Sequence, residues 1–340
     1  MGVAAVVTDR RPAGQGDALG DLTALVGADL ERVNHTILDR MQSEVALIPL
    51  LAGHLVRSGG KRLRPMLTLA AAGAFGYRGD KHILLAAAVE FIHTATLLHD
   101  DVVDESDLRR GFVTAHVVWG NQASVLVGDF LFSRAFRLMV ETGNLTVLDI
   151  LSNASAVIAE GEVMQLSAAN DTNTTGDTYL KVIESKTAEL FAAAAEVGAV
   201  IAGRNTAEVR AMRDYGLHLG MAFQLIDDAL DYAGTADEMG KAVGDDFREG
   251  KITLPVVLAF ERGTAEERKF WSRTLEAGEQ KDADLAEAIA LLARYDAIPA
   301  TIERAKVYGD TARRAIETLP VNAHTAALSG IVDFCIARAY

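Results

Sequence analysis

The chain has 340 residues, half of them hydrophobic, with few aromatics and only six prolines, a composition that favours long packed helices over a sheet. Its formal charge of −14 excludes nucleic acid as a bulk partner, though not a phosphate ligand met by local cations or metal ions. The lone Cys335 excludes an internal disulfide framework and a cysteine metal cluster, and no run of about 20 uncharged apolar residues reads as a membrane span.

Residues 1–20 show little periodicity and read as a flexible tail. The arginine pair Arg10-Arg11 follows the short apolar start instead of preceding it, which argues against a secretory signal. From Asp21 to Val56, Leu22, Leu25, Val26, Leu30, Val33, Ile37 and Met41 recur at helical spacing and predict one or two amphipathic helices. Ser58-Gly59-Gly60 is a good stop. The next stretch is Gly59-Gly60-Lys61-Arg62-Leu63-Arg64-Pro65. Paired glycines let a backbone approach an anion, and Lys61 and Arg64 are spaced to grip it from one side. On its own, the heptad reads more simply as a helix C-cap followed by basic residues that complement the dipole.

Met66–Phe75 predicts a short helix and Lys81–Asp104 a long one, apolar almost all round and therefore buried. That helix ends in Leu97-Leu98-His99-Asp100-Asp101-Val102-Val103-Asp104, with Arg109 and Arg110 soon after. Asp100 and Asp104 lie about 40° apart on one helix face. Two such carboxylates repel unless a cation sits between them, and hard oxygen ligands suit Mg²⁺, which leaves its other positions to water and substrate phosphates. Alone, the cluster reads as a solvated helix end. His93 shares the face of Asp100, two turns earlier. A lone helical histidine is more often a satisfied core residue, but this alignment points to a phosphate contact.

Gly111–Gly120 reads as a connector, Asn121–Val140 and Val147–Ser167 as helices, and Asn170–Asp177 as a polar loop. Tyr179–Ile201 is alanine-rich and helical; its Lys186 either snorkels or faces a phosphate. The helix Ala207–Tyr232 ends in Asp227-Asp228-Ala229-Leu230-Asp231, repeating the Asp-Asp-x-x-Asp spacing and the apolar lead-in, with Gln224 on the same face. Two such helices facing each other would hold several Mg²⁺ ions around a di- or triphosphate. Lys241 and Lys251 flank a charged, glycine-bearing loop and are candidates to close over phosphates; a solvated loop is the plainer reading. After Pro255, amphipathic helices run to the end and show no chemistry. No linker interrupts the chain, so the expectation is a single all-α domain over residues 21–340.

Together the two aspartate motifs, Gly-Gly-Lys-Arg-Leu-Arg-Pro, Ser185-Lys186-Thr187 and Gly244-Asp245-Asp246-Phe247-Arg248-Glu249-Gly250-Lys251 closely resemble the trans-polyprenyl diphosphate synthases, in the order found in that family. Glu90–Gly111 looks most like the octaprenyl and decaprenyl members that make ubiquinone side chains. The resemblance implies a helical bundle around a deep central cavity, working as a cytoplasmic homodimer. It further implies about three Mg²⁺ ions on the allylic diphosphate, held by Asp100, Asp104, Asp227 and Asp231 with help from Asp101 and Asp228. Arg109, Lys186, Thr187, Gln224, Lys241 and Lys251 would contact the allylic substrate, such as farnesyl diphosphate. Lys61, Arg64, His93 and Arg110 would bind isopentenyl diphosphate. The catalytic set would be Asp100, Asp104, Lys186, Thr187, Gln224 and Asp227, and release of an apolar product would involve peripheral membrane contact.

A terpene cyclase needs no second diphosphate site, so Gly59–Arg64 argues against one. A non-catalytic subunit typically loses aspartates that this chain keeps, and a shorter-chain synthase is the remaining alternative. With Ala88 roughly 18 Å below Asp100 along the helix and Ala95 nearer, neither blocks an elongating chain; about eight to ten isoprene units are expected. The floor is expected deeper, at Phe132 or Phe136.

Overall fold

The computed structural model describes residues 17–57, 60–109, 111–233 and 243–338. The Asp17 carboxylate accepts the Gly20 N–H at 3.0 Å and so starts the first helix, slightly earlier than its periodicity predicts. That helix, α1 (Ala18–Arg40), buries Leu22, Val26, Val33 and Ile37. A separate α2 (Leu47–Arg57) follows, so the Asp21–Val56 pattern is two helices. The expected stop at Ser58-Gly59 lies outside the described residues. α3 (Leu63–Ala74) is buried along most of its length. α4 (Lys81–Val103) is buried continuously from Leu85 to Ile92, as its all-round apolarity predicts. By length and hydropathy α4 alone would pass for a membrane span, yet 67% of its most apolar window is buried inside the protein, so it is a core helix.

The expected connector Gly111–Gly120 carries structure. β1 (Leu108–Arg109) pairs antiparallel with β2 (Phe112–Val113), Leu108 opposite Val113, and α5 (Ala115–Trp119) follows. This ribbon is the only sheet among the described residues; everything else regular is helical. α6 (Asn121–Glu141) lies along α4, where Ser124 Oγ donates to the Leu98 carbonyl at 2.9 Å. α7 (Leu145–Ala168) starts at Asn144, whose side chain accepts the N–H groups of Thr146 and Val147.

The helix expected over Tyr179–Ile201 is interrupted. α8 (Gly176–Ile183) passes into a π-helical turn (Glu184–Ala188) and then α9 (Glu189–Ile201). The cause is visible on both sides. A Cβ on Gly161 of α7 would lie 2.8 Å from the Lys186 nitrogen, and one on Gly220 of α10 (Thr206–Ala233) would lie 2.6 Å from the Ala188 Cα. Only glycine permits backbone approach this close, and the turn is gripped between the two helices. Single π turns inside helices are frequent at functional sites. Helices Asp245–Arg248, Leu254–Arg262, Ala265–Trp271, Asp284–Arg294, Ala297–Ile316 and Ala323–Ala337, with a second π-helical turn at Ser272–Glu276, complete the described chain.

The largest core joins α1, α3, α4, α6, α9 and α10 to the C-terminal helix. A second gathers around Phe247, Trp271 and Leu292. A third, with Tyr179, Ile183, Leu225, Ile226 and Leu254, fixes α8 and α10 against Leu254–Arg262. It therefore sets where the π turn and the end of α10 stand.

Candidate active site

The first aspartate cluster closes α4. Asp104 caps the helix through its N–H to the Asp100 carbonyl at 2.7 Å. Asp101 is buried, and Arg109, carried back by the β ribbon, donates from Nε to Asp101 Oδ1 at 2.6 Å. Burial pushes the Asp101 carboxyl above the usual range, against the opposing pull of Arg109. The same cause raises Asp100, with Lys186 opposing and Asp104 adding repulsion. Lys186 projects from the π turn to Glu162 Oε2 of α7 at 2.7 Å and reaches Asp100 Oδ2 at 3.9 Å. Glu162 is pushed up to about 7 by burial and by Asp100, with Lys186 opposing.

The second cluster closes α10. Gln224 links two motifs that are far apart in sequence. Its Oε1 accepts from Thr187 Oγ1 at 3.0 Å, and its Nε2 donates to Asp228 Oδ1 at 2.8 Å. The other oxygen of Asp228 accepts from the Tyr179 hydroxyl. Asp228 is buried and lifted well above the carboxylate range, first by burial and then by Asp246. Asp231 Oδ2 accepts the Asp246 N–H at 3.1 Å, and the Gly244 N–H meets the Asp231 carbonyl at 2.8 Å. The loop is thereby tied to α10.

From that loop Lys251 crosses to the first cluster, donating to Asp104 Oδ2 at 3.0 Å and contacting Glu249 at 2.6 Å. Burial alone would lower the Lys251 pKa, but Asp104, Asp246 and Glu249 raise it, so the ammonium stays charged. The two aspartate clusters thus share one cleft, spanned by a lysine.

Carboxylates crowded into partly buried ground, two of them pushed upward first by burial and then by neighbouring carboxylates, form a donor set that fits a hard divalent cation. Among the described residues no three potential ligands converge tightly enough to hold an ion alone.

A basic group lies beside the cleft on the same side of α4. Arg64 Nη1 is 3.2 Å from His93 Nε2, and its guanidinium stacks over Phe191 at 4.3 Å. Lys61 Nζ lies 5.0 Å from the centre of the Phe334 ring. Arg110 and Lys241 lie outside the described residues.

Several expectations need correction. The C-terminal helices, read as devoid of chemistry, deliver Arg338. Its Nη2 donates to Asp227 Oδ1 at 3.0 Å, and its guanidinium lies over Phe223 at 4.9 Å. Ala88 and Ala95 are fully buried on the α4 face that carries Leu98 and His99 against α6, so neither borders open space. Phe132 stacks on His99 beside the aspartate cluster, and Phe136 is 40% exposed on this chain. Tyr179 and Glu162 were missed as partners of the site, and no local pattern marks them.

A family model described as polyprenyl synthetase matches residues 46–292. The chain is 45% identical to an octaprenyl diphosphate synthase of Escherichia coli K12, over 94% of this chain and 99% of the relative. A polyprenyl synthase from Caulobacter crescentus CB15, solved with calcium and isoprenyl diphosphate, is 54% identical at a TM-score of 0.93, covering 97% of this chain and all of that one. A decaprenyl diphosphate synthase from Rhodobacter capsulatus is 52% identical at a TM-score of 0.91, covering 95% and 99%. The chain belongs to the polyprenyl synthetase family, the class to which the all-α fold and the paired aspartate clusters point. Its activity is that of a prenyltransferase, a long-chain polyprenyl diphosphate synthase.

Proposed function

We propose that this chain condenses isopentenyl diphosphate repeatedly onto an allylic diphosphate such as farnesyl diphosphate, making an all-trans product for a quinone side chain. The octaprenyl and decaprenyl names of its relatives fit a product of eight to ten isoprene units. The observation that supports the reading is the Lys251 bridge, from the loop tied to Asp231 of the second aspartate cluster to Asp104 of the first.

In this reading Asp100, Asp104, Asp227 and Asp231 would hold about three Mg²⁺ ions, which would supply positive charge to the departing allylic diphosphate. Asp101 aims Arg109, and Asp228 aims Gln224. Arg109, Lys186 and Lys251 meet the same diphosphate, joined in this reading by Lys241, so the charge developing on it is stabilised by cationic groups. The Lys186 carbonyl, Thr187 and Gln224 offer partial negative charge to the allylic cation. Lys61, Arg64, His93 and Arg110 hold isopentenyl diphosphate so that its double bond attacks that cation. A proton then leaves the new unit for the released diphosphate.

The outer face of α6 exposes Leu126 at 66% and Val140 at 62%, with Val125 and Phe136 beside them. A second copy of the chain covering this stripe accounts for it, giving a homodimer. The working form is one all-α domain over residues 21–340, in the cytoplasm, with peripheral membrane contact as the product leaves.

Mass spectrometry of the product formed from farnesyl diphosphate, isopentenyl diphosphate and Mg²⁺ tests the reading. A ladder ending at eight to ten units supports it. Products stopping at three or four units, a cyclised product or no condensation each overturn it.

A further inference from the structure

Three cations crowd into four residues at the start of α3: Lys61, Arg62 and Arg64. Only the first and last fit the diphosphate reading above. Arg62 stands apart in two ways. It is the N-cap of α3, and its backbone is left-handed, φ 50° and ψ 32°, a conformation that non-glycine residues keep only when the surroundings impose it. Its guanidinium meets a carboxylate of this chain. It pairs with Glu90 on α4, both side chains largely buried at 19% and 10% exposed.

Glu90 and His93 are three residues apart on one face of α4. Arg62 pairs with the first and Arg64 meets the second at 3.2 Å. Two cross-links therefore join the start of α3 to α4, with Arg62 placed between the two cations proposed to bind isopentenyl diphosphate. Glu90 also removes one positive charge from the crowded cluster, leaving the charge of Lys61 and Arg64 for the ligand.

We infer that Arg62 and Glu90 are positioning residues for the isopentenyl diphosphate site, acting by pinning the left-handed turn that aims Lys61 and Arg64. The inference rests on the assignment of Lys61, Arg64 and His93 to that substrate. The pair touches no reacting atom in this picture. Its loss should misplace the cations without altering the allylic site, and small misplacements of positioned groups are costly.

The test is steady-state kinetics with both substrates varied, on Arg62→Met, Glu90→Gln and the double variant Arg62→Met/Glu90→Met. Each single variant should raise the KM for isopentenyl diphosphate about tenfold, with kcat and the allylic KM within about threefold of the parent enzyme. The double variant lacks the same cross-link and should show about the same rise as either single variant, because the two residues act as one unit. A double variant as impaired as Arg62→Met, with Glu90→Gln near normal, would show that Arg62 is itself a phosphate ligand and overturn the inference. Lowered thermal stability with no change in either KM would overturn it as well, by showing a purely structural pair. Lys61→Ala and Arg64→Ala serve as controls. If they leave the isopentenyl diphosphate KM unchanged, the site assignment fails; if they raise it while the pair variants do not, only the positioning role fails.

Discussion

Asp101 and Asp228 hold the same place in the two Asp-Asp-x-x-Asp repeats and are buried alike, 3% and 4% exposed. Their partners differ. Asp101 receives a charged guanidinium from Arg109. Asp228 receives a neutral hydroxyl from Tyr179 and a neutral amide from Gln224. A cation holds a buried carboxylate in its charged form, while neutral donors offset only part of the desolvation cost. Burial raises both groups, but Asp228, with Asp246 adding repulsion, is raised much further. One sequence motif thus serves two ends: a charge-paired anchor at α4 and a hydrogen-bonded junction at α10.

The largest effect is expected outside this buried pair, at the first aspartate of each motif. Asp100→Ala and Asp227→Ala should each lower kcat by about a thousandfold or more, the loss of a few kcal/mol of transition-state stabilisation. Near-parental turnover in either folded variant would remove that residue from the metal assignment.

The same isosteric change at the middle aspartates separates their roles. Asp101→Asn leaves the Arg109 charge without its counter-ion and should cost about 2 kcal/mol of stability. Asp228→Asn puts a neutral group of the same shape among neutral partners and should cost less than about 1 kcal/mol. Urea denaturation of the EDTA-treated variants gives both values, and the reverse order would refute the contrast drawn here.

The parts of the site legible in the sequence are those a helix repeats. Periodicity located α4 and α10, and the doubled spacing marked both aspartate clusters, because helical geometry converts spacing directly into a shared face. What stayed hidden depends on approach between distant segments. The π turn at Lys186 exists because Gly161 and Gly220 let two other helices press on it. Tyr179 meets Asp228, and Arg338 meets Asp227 across more than a hundred residues; no local pattern encodes either contact. The elongation path is not legible in the sequence for a related reason. The small size of Ala88 and Ala95 reads equally as room for a chain or as close helix packing, and in this structure it is packing.

Glu162 asks whether one cationic partner is enough when it is shared. Lys186 contacts Glu162 and also Asp100, and Glu162 still sits at about 7, above its ordinary 4.5, because burial and Asp100 outweigh the lysine. A carboxyl whose folded pKa is raised contributes stability below its unfolded pKa and loses it as pH climbs through the folded value. Metal-free protein should therefore lose stability as pH rises from 4.5 to about 7, in part through Glu162. Glu162→Gln should flatten that slope in denaturation curves taken across the window with EDTA present. An unchanged slope would mean that Lys186 alone satisfies Glu162.

The smallest effect is expected at Arg338, where the second motif does meet a cation. The pair differs from Asp101–Arg109 in exposure: Asp227 is 49% exposed and Arg338 20%. Water screens such a contact, so Arg338→Ala should cost no more than about 1 kcal/mol of stability, part of it from the lost packing over Phe223. Its consequence for ligands is more informative. While the guanidinium occupies Asp227, a divalent ion must displace it to use that oxygen. Removing Arg338 should then tighten Mg²⁺ binding in the presence of inorganic diphosphate by about twofold, as expected for the loss of a weak, screened competitor. Isothermal titration with Mg²⁺ and diphosphate measures this directly. Weaker binding in Arg338→Ala would reverse the argument, making the C-terminal arginine a holder of the bound anion instead of a stand-in for the metal.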